Sequence, residues 1–320
     1  MTTGIRAGAS ASEIRLALVE EAVWGTTPAT PAFVNTRLTS ESLMPSKTTV
    51  RSNEIRPDRN VVDEIMVGRA VAGTIGFELS YAAFDNLIES LMFADWSSDI
   101  IKNGAGAGTA FTAERRVPLP AGGYDYQRFL GLVVNSMSLY ISAGALISGE
   151  FGLMGKFGGR SGSLIAGATY AEAPQNRILN AVNNFAELTI GGVSPSPRIR
   201  SLTLSITNNM RAQDEIGNLD AAGMAAGRFE VTGFMQAYFE NGSLLQSFLD
   251  HEDLSLSFVI GDETGSRYLF TIPTIVLTGD PGGNATANDD DIMQTLNFTA
   301  VLDRTSSPLL GCTLQIERGY

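Results

Sequence analysis

The stretch GRAVAGTIGFELSYAAFDNLIESLMFADW, at residues 68–96, decides the fold of this chain. Ile75, Phe77 and Leu79 alternate with small or polar residues, which is the period of two typical of a strand with one buried face. The apolar residues then recur at intervals of three and four, as they do along one face of a helix: Phe84, Leu87, Ile88, Leu91 and Met92. The stretch therefore predicts a strand that leads directly into a short helix at residues 85–93.

A diverged copy of this stretch, GRFEVTGFMQAYFENGSLLQSFLD, returns at residues 227–250. Gly233 takes the place of Gly73 at an offset of 160 in a chain of 320 residues. The loops before the two strands also begin alike, with RSNEI at residues 51–55 and RAQDEI at residues 211–216. A likeness over a loop, a strand and a helix in the same order predicts two tandem versions of one β-rich unit.

Each of the two predicted helices is short and has one apolar face. In the second helix, Leu249 takes the place of Met92. We expect the apolar faces to pack against the sheet of their own half. The residues expected in these faces are Leu87, Ile88 and Leu91 in the first helix and Leu244, Leu245 and Phe248 in the second.

Alternation and turn residues predict the remaining elements of a mainly β protein with one short helix in each half. Strands are predicted at residues 38–50, 129–141, 147–157, 198–207, 229–239, 268–278, 292–302 and 313–317. Long loops are predicted at residues 101–123, 208–226 and 279–291. Long inter-strand loops are thus expected in both halves.

The length and the repeat predict an N-terminal arm at residues 1–36 and two β domains at residues 37–160 and 161–320. The arm is rich in Ala, Ser, Thr and Pro, with a short helix expected at residues 14–22 and an extended segment at residues 24–33. The stretch GGRSG, at residues 158–162, is the expected joint between the domains.

The segment at residues 51–68 joins two predicted strands and carries seven charged residues of mixed sign. They are Arg51, Glu54, Arg56, Asp58, Arg59, Asp63 and Glu64. So many charges between two strands favour a solvated loop or a contact with another molecule.

The net charge of −12 lies mainly in the second 160 residues, which hold 8 Lys and Arg against 18 Asp and Glu. The first 160 residues hold 14 against 16. This balance argues against a grip on nucleic acid, which needs clustered basic residues. No apolar run approaches the roughly 18 residues of a membrane helix. The start lacks the pattern of a secretory signal, so we expect cytoplasmic synthesis.

No pattern of residues indicates catalysis or a bound cofactor or metal, so the chain is expected not to be an enzyme. His251 is the only histidine, between acidic neighbours, and Cys312 is the only cysteine. With one histidine and one cysteine, the chain cannot form a metal site of several histidines or a cysteine cage, and no pattern indicates a His-based catalytic triad. The acidic run at residues 289–291 lacks the spacing of a calcium loop, and GAGAG at residues 104–108 is followed by no predicted helix. Trp24 and Trp96 are expected to be core or interface anchors.

The first hundred residues resemble the major tail tube proteins of long non-contractile tailed phages. The resemblance rests on EEAVWGTTPATPAF at residues 20–33, TSESL at residues 39–43 and the segment at residues 51–96. Its most specific part is S-x-E-I-R-x-D-R-x-V-x-D at residues 52–63, followed by G-R-x-x-x-G at residues 68–73. The second half resembles the family through its element order and the internal repeat.

This resemblance implies two tandem β-sandwich or half-barrel units, each with one flanking helix, in a virion protein. It implies that hairpins join neighbouring subunits into rings, that rings stack into a tube, and that double-stranded DNA passes through without specific binding. A tape measure protein and tail-end proteins are implied as partners. The seven charged residues of the segment at residues 51–68 then become candidates for contacts between subunits.

Two alternatives remain open from the sequence. The duplication favours a ring of three chains with pseudo-sixfold symmetry, but a ring of six chains is also possible because the two halves differ in charge. A secreted or surface β-sandwich that binds other molecules would also be acidic and non-catalytic. Such a protein usually has a secretion signal and aromatic clusters for sugar stacking, and this sequence shows neither.

Overall fold

A computed structural model of the protein describes residues 8–104, 106, 108–261, 264–279, 282–283, 291–304 and 306–320. The protein is mainly β, with 51% of its residues in strands and 6% in helices, which confirms the predicted fold class. We use "first half" for residues 1–160 and "second half" for residues 161–320.

The first half begins with a short 3-10 helix at Ala11–Glu13. Its strands are β1 (Arg15–Glu20), β2 (Ala32–Asn35), β3 (Ser40–Glu41), β4 (Met44–Arg51), β5 (Glu64–Glu78), β6 (Ile100–Lys102), β7 (Phe111–Pro118), β8 (Tyr124–Ser142), β9 (Ser148–Gly155) and β10 (Phe157–Ser161). Helix α1 (Asp85–Met92) follows β5. The predicted strand and helix of the opening stretch are thus confirmed.

The second half has the same kind of elements. Its strands are β11 (Thr169–Glu172), β12 (Phe185–Gly191), β13 (Ile199–Thr207), β14 (Arg211–Gln213), β15 (Gly223–Ala225), β16 (Glu230–Tyr238), β17 (Leu254–Gly261), β18 (Arg267–Leu277), β19 (Met293–Ala300) and β20 (Gln315–Arg318). Helix α2 (Ser243–Leu249) follows β16.

The duplication is visible in the order of strands in the sheets. In the first half, antiparallel neighbours run β4, β5, β9, β8 and β7. In the second half, antiparallel neighbours run β13, β16, β19, β18 and β17. Because α1 follows β5 and α2 follows β16, each helix also occupies the same place in its unit.

Gly73 and Gly233 lie at matching positions in β5 and β16, where nearby atoms of the same chain leave no room for a side chain. A Cβ on Gly73 would lie 2.5 Å from the carbonyl oxygen of Ser42, and one on Gly233 would lie 2.0 Å from the Phe298 ring. Glycine is therefore required at both positions of the repeat.

The two halves are joined by strand pairing and share one core. The second part of β8 pairs with β13, β6 pairs with β20, and β2 pairs in parallel with β11. The buried side chains of both halves form one continuous hydrophobic cluster. The domain boundaries at residues 36 and 160 stay predictions, although β1 and β2 lie inside the predicted arm.

Four local predictions are wrong. The expected loop at residues 208–226 contains the paired strands β14 and β15. The expected helix at residues 14–22 is strand β1, whose consecutive buried residues, Leu16 to Leu18, imitate a helical run. The expected loop at residues 101–123 contains β6 and β7. The expected joint at residues 158–162 lies largely in β10, which pairs with β8 through its backbone and so tolerates glycine.

Candidate functional site

The longest exposed feature of the first half is the hairpin of β4 and β5. Residues 52–63, which we call the first loop, connect the two strands, and every residue of β4 is exposed. Strand β4 pairs with β5 along one edge, and no other strand of the described chain pairs with its outer edge. At the tip, the Ile55 side chain is 98% exposed.

The charged residues predicted for this segment lie in the first loop and at the ends of the two strands. Arg56 Nε donates to Asp58 Oδ1 at 3.1 Å, and this bond lowers the pKa of Asp58. Arg56 Nη1 also lies 3.8 Å from Glu54 Oε1. These bonds give the exposed tip a defined shape.

The strand ends close the base of this loop. Arg51 ends β4 and its Nε donates to Glu64 Oε2 at 3.2 Å, at the start of β5. Asp63 accepts a hydrogen bond from the Glu64 backbone at 2.8 Å. Arg59 has a φ of 60° and an exposed side chain. The structure therefore brings the seven predicted residues together at one end of the hairpin.

The corresponding segment of the second half, residues 208–229, contains the short strands β14 and β15 and lies across the first half. We call it the second loop. At its start, Asn208 Nδ2 donates to the carbonyl oxygens of Leu91 at 2.9 Å and Val134 at 3.1 Å. The Met210 backbone then donates to Asn135 Oδ1 at 2.9 Å. The second loop thus begins over the C-terminal turn of α1.

Arg69 of β5 holds the far side of the second loop. Its backbone donates to the carbonyl of Leu219 at 3.0 Å, and its guanidinium forms a bidentate ion pair with Asp220. The guanidinium also lies 3.8 Å from the centre of the Phe157 ring. The hydrogen bond to Asp220 raises the pKa of Arg69. A paired, stacked arginine of this kind fixes the position of the loop.

The two helices differ in how completely they are covered. Leu87, Ile88 and Leu91 of α1 are buried. In α2, Leu244 is buried, while Leu245 and Phe248 are half-buried. Leu249, which takes the place of the buried Met92, is 66% exposed.

A hydrogen-bonded cluster ties α1 to the end of the chain. The Tyr268 hydroxyl of β18 donates to Asp85, the first residue of α1, and Arg318 Nη1 donates to the same carboxylate at 2.7 Å. Burial raises the pKa of Tyr268 well above its usual value, and the Asp85 charge adds to this effect. Arg318 also lies over the Trp96 ring, 4.6 Å from its centre, and Trp96 packs partly buried against the core.

A second cluster, which no sequence pattern predicts, surrounds Glu114 of β7. This carboxylate is fully buried and accepts hydrogen bonds from Arg15 at 3.2 Å, Arg128 at 2.9 Å and the Tyr170 hydroxyl at 2.5 Å. Burial, followed by the bond to Glu114, raises the pKa of Tyr170 to about 12. The cluster joins β1, β7 and β8 to β11 of the second half.

The other residues considered for chemistry lie apart from one another. His251 is exposed after α2, Trp24 donates to the Gly131 carbonyl at 3.0 Å, and Cys312 is buried, which raises its pKa. Asp289 and Asp290 lie outside the described residues, as does part of the GAGAG loop. Within the described ranges, no three His, Cys, Asp or Glu side chains form a metal site. No helix in those ranges is long and apolar enough to cross a membrane.

Comparison with known proteins identifies the family. No curated protein matches the sequence. The family model described as phage tail tube protein matches residues 11–300, which cover nearly all of the strands and both helices. This match includes the β4–β5 hairpin, the second loop and the paired strands β8 and β13, while β20 lies outside it. The chain therefore belongs to the phage tail tube protein family, a family of structural virion proteins.

Proposed function

We propose that this protein polymerises into rings that stack into the tail tube and form the channel for DNA delivery. One observation carries the proposal. Strands β4 and β13 have the same place in their units, and β13 pairs along its outer edge with β8 of the first half. The outer edge of β4 pairs with no strand of the described chain. A neighbouring chain can supply the missing partner. Family membership supports the tube and leaves the surface binding module without a supporting observation.

We further propose three chains per ring. Each chain supplies two units with the same strand order, so three chains present six similar units around the channel. The acidic net charge suits a wall past which DNA slides, because like charges repel and no phosphate clamp forms. The proposal also includes synthesis in the host cytoplasm. Its partners are a tape measure protein inside the tube and tail-end proteins at the ends of the tube.

The number of chains per ring tests the proposal directly. Purified protein should form rings or hollow filaments in negative-stain images, and the mass of an isolated ring should equal three chains. A mass of six chains would exclude the trimer while leaving the tube intact. A protein that stays monomeric under all conditions would contradict the tube itself.

The double variant Arg56→Glu, Arg59→Glu should impair polymerisation while leaving the monomer folded. The reason is that both residues lie in the exposed first loop, which we propose makes contacts with adjacent subunits, and the change reverses their charges. Circular dichroism checks the monomer and electron microscopy counts tubes. Tubes formed in normal yield would remove the support for this role. The matched control is Arg198→Glu, also an exposed arginine paired with a glutamate, Glu240, at 3.4 Å.

A further inference from the structure

Three arginines lie side by side at one end of the strands β2, β1 and β7. Arg15 of β1 is directly opposite Arg116 of β7 in the antiparallel register. The register of β1 with β2 continues past the end of β2, where the Thr36 backbone donates to the Leu16 carbonyl at 2.9 Å, and this brings Arg37 next to Arg15. Like charges in directly opposite positions of a sheet repel each other. The row of arginines therefore needs negative charge close to it.

The carboxylates of the chain neutralise only part of this row. Arg15 pairs with Glu114 at 3.2 Å, but that carboxylate is shared with a second arginine, at 2.9 Å. Arg37 Nη1 donates to one hydroxyl and two backbone carbonyls, all of them uncharged. Arg116 lies over the Tyr124 ring, 4.4 Å from its centre. Among the residues that the structure describes, neither Arg37 nor Arg116 forms an ion pair, so the row keeps an excess of positive charge.

A cavity of about 750 Å³ opens beside this row, and all three arginines line it. Two carboxylates, Glu78 and Glu172, also line the cavity, so its charged residues leave an excess of one positive charge. The apolar part of the lining includes Ile14, Leu16, Leu38 and Ile178. The volume lies within the range of sites that hold small organic ligands. The cavity thus suits a small organic anion.

Three buried polar atoms of the lining residues have no hydrogen-bond partner in the described chain. They are Arg15 Nε, Arg116 Nε and Asn35 Oδ1. Asn35 Nδ2 donates to Glu172 Oε1 at 2.8 Å, which fixes the orientation of the amide and leaves Oδ1 as an acceptor. Two N–H donors and one acceptor match a phosphate group that keeps one proton, since its oxygens accept and its hydroxyl donates. An ionised carboxylate only accepts, so it would leave Asn35 unsatisfied.

We propose that this cavity binds the phosphate group of a small phosphate monoester. Arg15 and Arg116 donate to the phosphate oxygens, and Asn35 accepts from the phosphate hydroxyl. Arg37 adds positive charge at the other end of the row, and the apolar lining contacts the organic part of the ligand. The bound anion offsets the repulsion between Arg15 and Arg116, so it stabilises the folded chain. The site lies within one chain and does not depend on the proposed ring.

Thermal unfolding of the purified full-length chain tests the site with butyl phosphate, against sodium chloride at the same ionic strength. Butyl phosphate should raise the midpoint, and pentanoate, which carries the same butyl group on a carboxylate, should raise it less. Arg116→Gln should weaken the Kd for butyl phosphate at least about tenfold, because hydrogen bonds to charged groups are strong. Without any added anion, this variant should unfold no earlier than wild type, since the repulsion in the row falls. The matched control is Arg198→Gln, at an arginine whose side chain is 85% exposed, and it should respond as wild type does.

Each outcome decides the proposal. A wild-type midpoint that butyl phosphate leaves unchanged would overturn it, and an equal response to pentanoate would overturn the assignment to phosphate. Wild-type affinity in Arg116→Gln would place the anion elsewhere and would also overturn it. Earlier unfolding of this variant without added anion would do the same, because Arg116 would then be satisfied by its own chain. If Arg116→Gln does not fold, Asn35→Ala replaces it. That variant should lose the preference for butyl phosphate over pentanoate, and a preference that persists contradicts the site.

Discussion

Glu114→Ala should lower the free energy of unfolding by about 3–5 kcal/mol, the usual cost of removing one partner from a buried ion pair. The Glu114 side chain is fully buried and is the shared acceptor for Arg15, Arg128 and Tyr170. Its removal leaves two arginines in a largely buried site without their counter-charge. Denaturant unfolding of the monomer measures the effect as a lower midpoint at an unchanged slope.

The control for this variant is Glu54→Ala. Glu54 also contacts an arginine, Arg56 at 3.8 Å, but in the exposed first loop. Water screens such pairs, so the midpoint should stay unchanged. If Glu114→Ala left the midpoint unchanged as well, the cluster would contribute nothing to the stability of the fold.

Leu91→Ala should lower the free energy of unfolding by about 2–5 kcal/mol, because the substitution leaves a cavity under α1. Leu91 is fully buried in the core that both halves share. Calorimetry or denaturant unfolding of the monomer measures the change. A value within about 0.5 kcal/mol of wild type would mean that this face of α1 contributes no more than a surface residue does.

The duplicated unit offers a matched control in Leu249→Ala. Leu249 lies in the last turn of α2 but is mostly exposed, so its truncation in the monomer should change the free energy of unfolding by less than about 0.5 kcal/mol. The two variants remove the same atoms from corresponding helices. Their difference therefore measures burial and not the chemistry of leucine.

The elements that the sequence predicts correctly are those whose apolar residues recur at a regular short spacing. Strand β5, helix α1 and their copies follow from apolar spacing alone, since a buried face repeats every two residues in a strand and at intervals of three and four in a helix. Strand β17 has the same signal, with Leu254, Leu256 and Phe258 in alternation, although it is not among the predicted strands.

Strand β7 lies where a loop is predicted, and the reason is different. Its sequence FTAERRVP places Glu114, Arg115 and Arg116 in succession, which is typical of an exposed loop. These charges are satisfied by partners far along the chain, such as Tyr170 and Glu41. Local patterns carry no information about such partners, so a buried ion pair makes a core strand look polar.

The contacts between the halves could not be predicted from the sequence either. The pairing of β8 with β13 joins residues about 65 positions apart, and neither strand carries a mark that selects the other. The charged first loop follows from composition, but the full exposure of β4 beside it does not. Likewise, α1 and α2 look alike in sequence and differ in exposure.

The pairing of β8 with β13 lies within one chain, and this sets how the assembly responds to dilution. A contact inside a chain has a fixed effective concentration, whereas a contact between chains weakens as the protein becomes scarce. In the ring that we propose, every second joint would therefore be insensitive to the amount of protein. Such a ring dissociates into whole chains and not into single units. Its assembly also requires fewer separate molecules to associate.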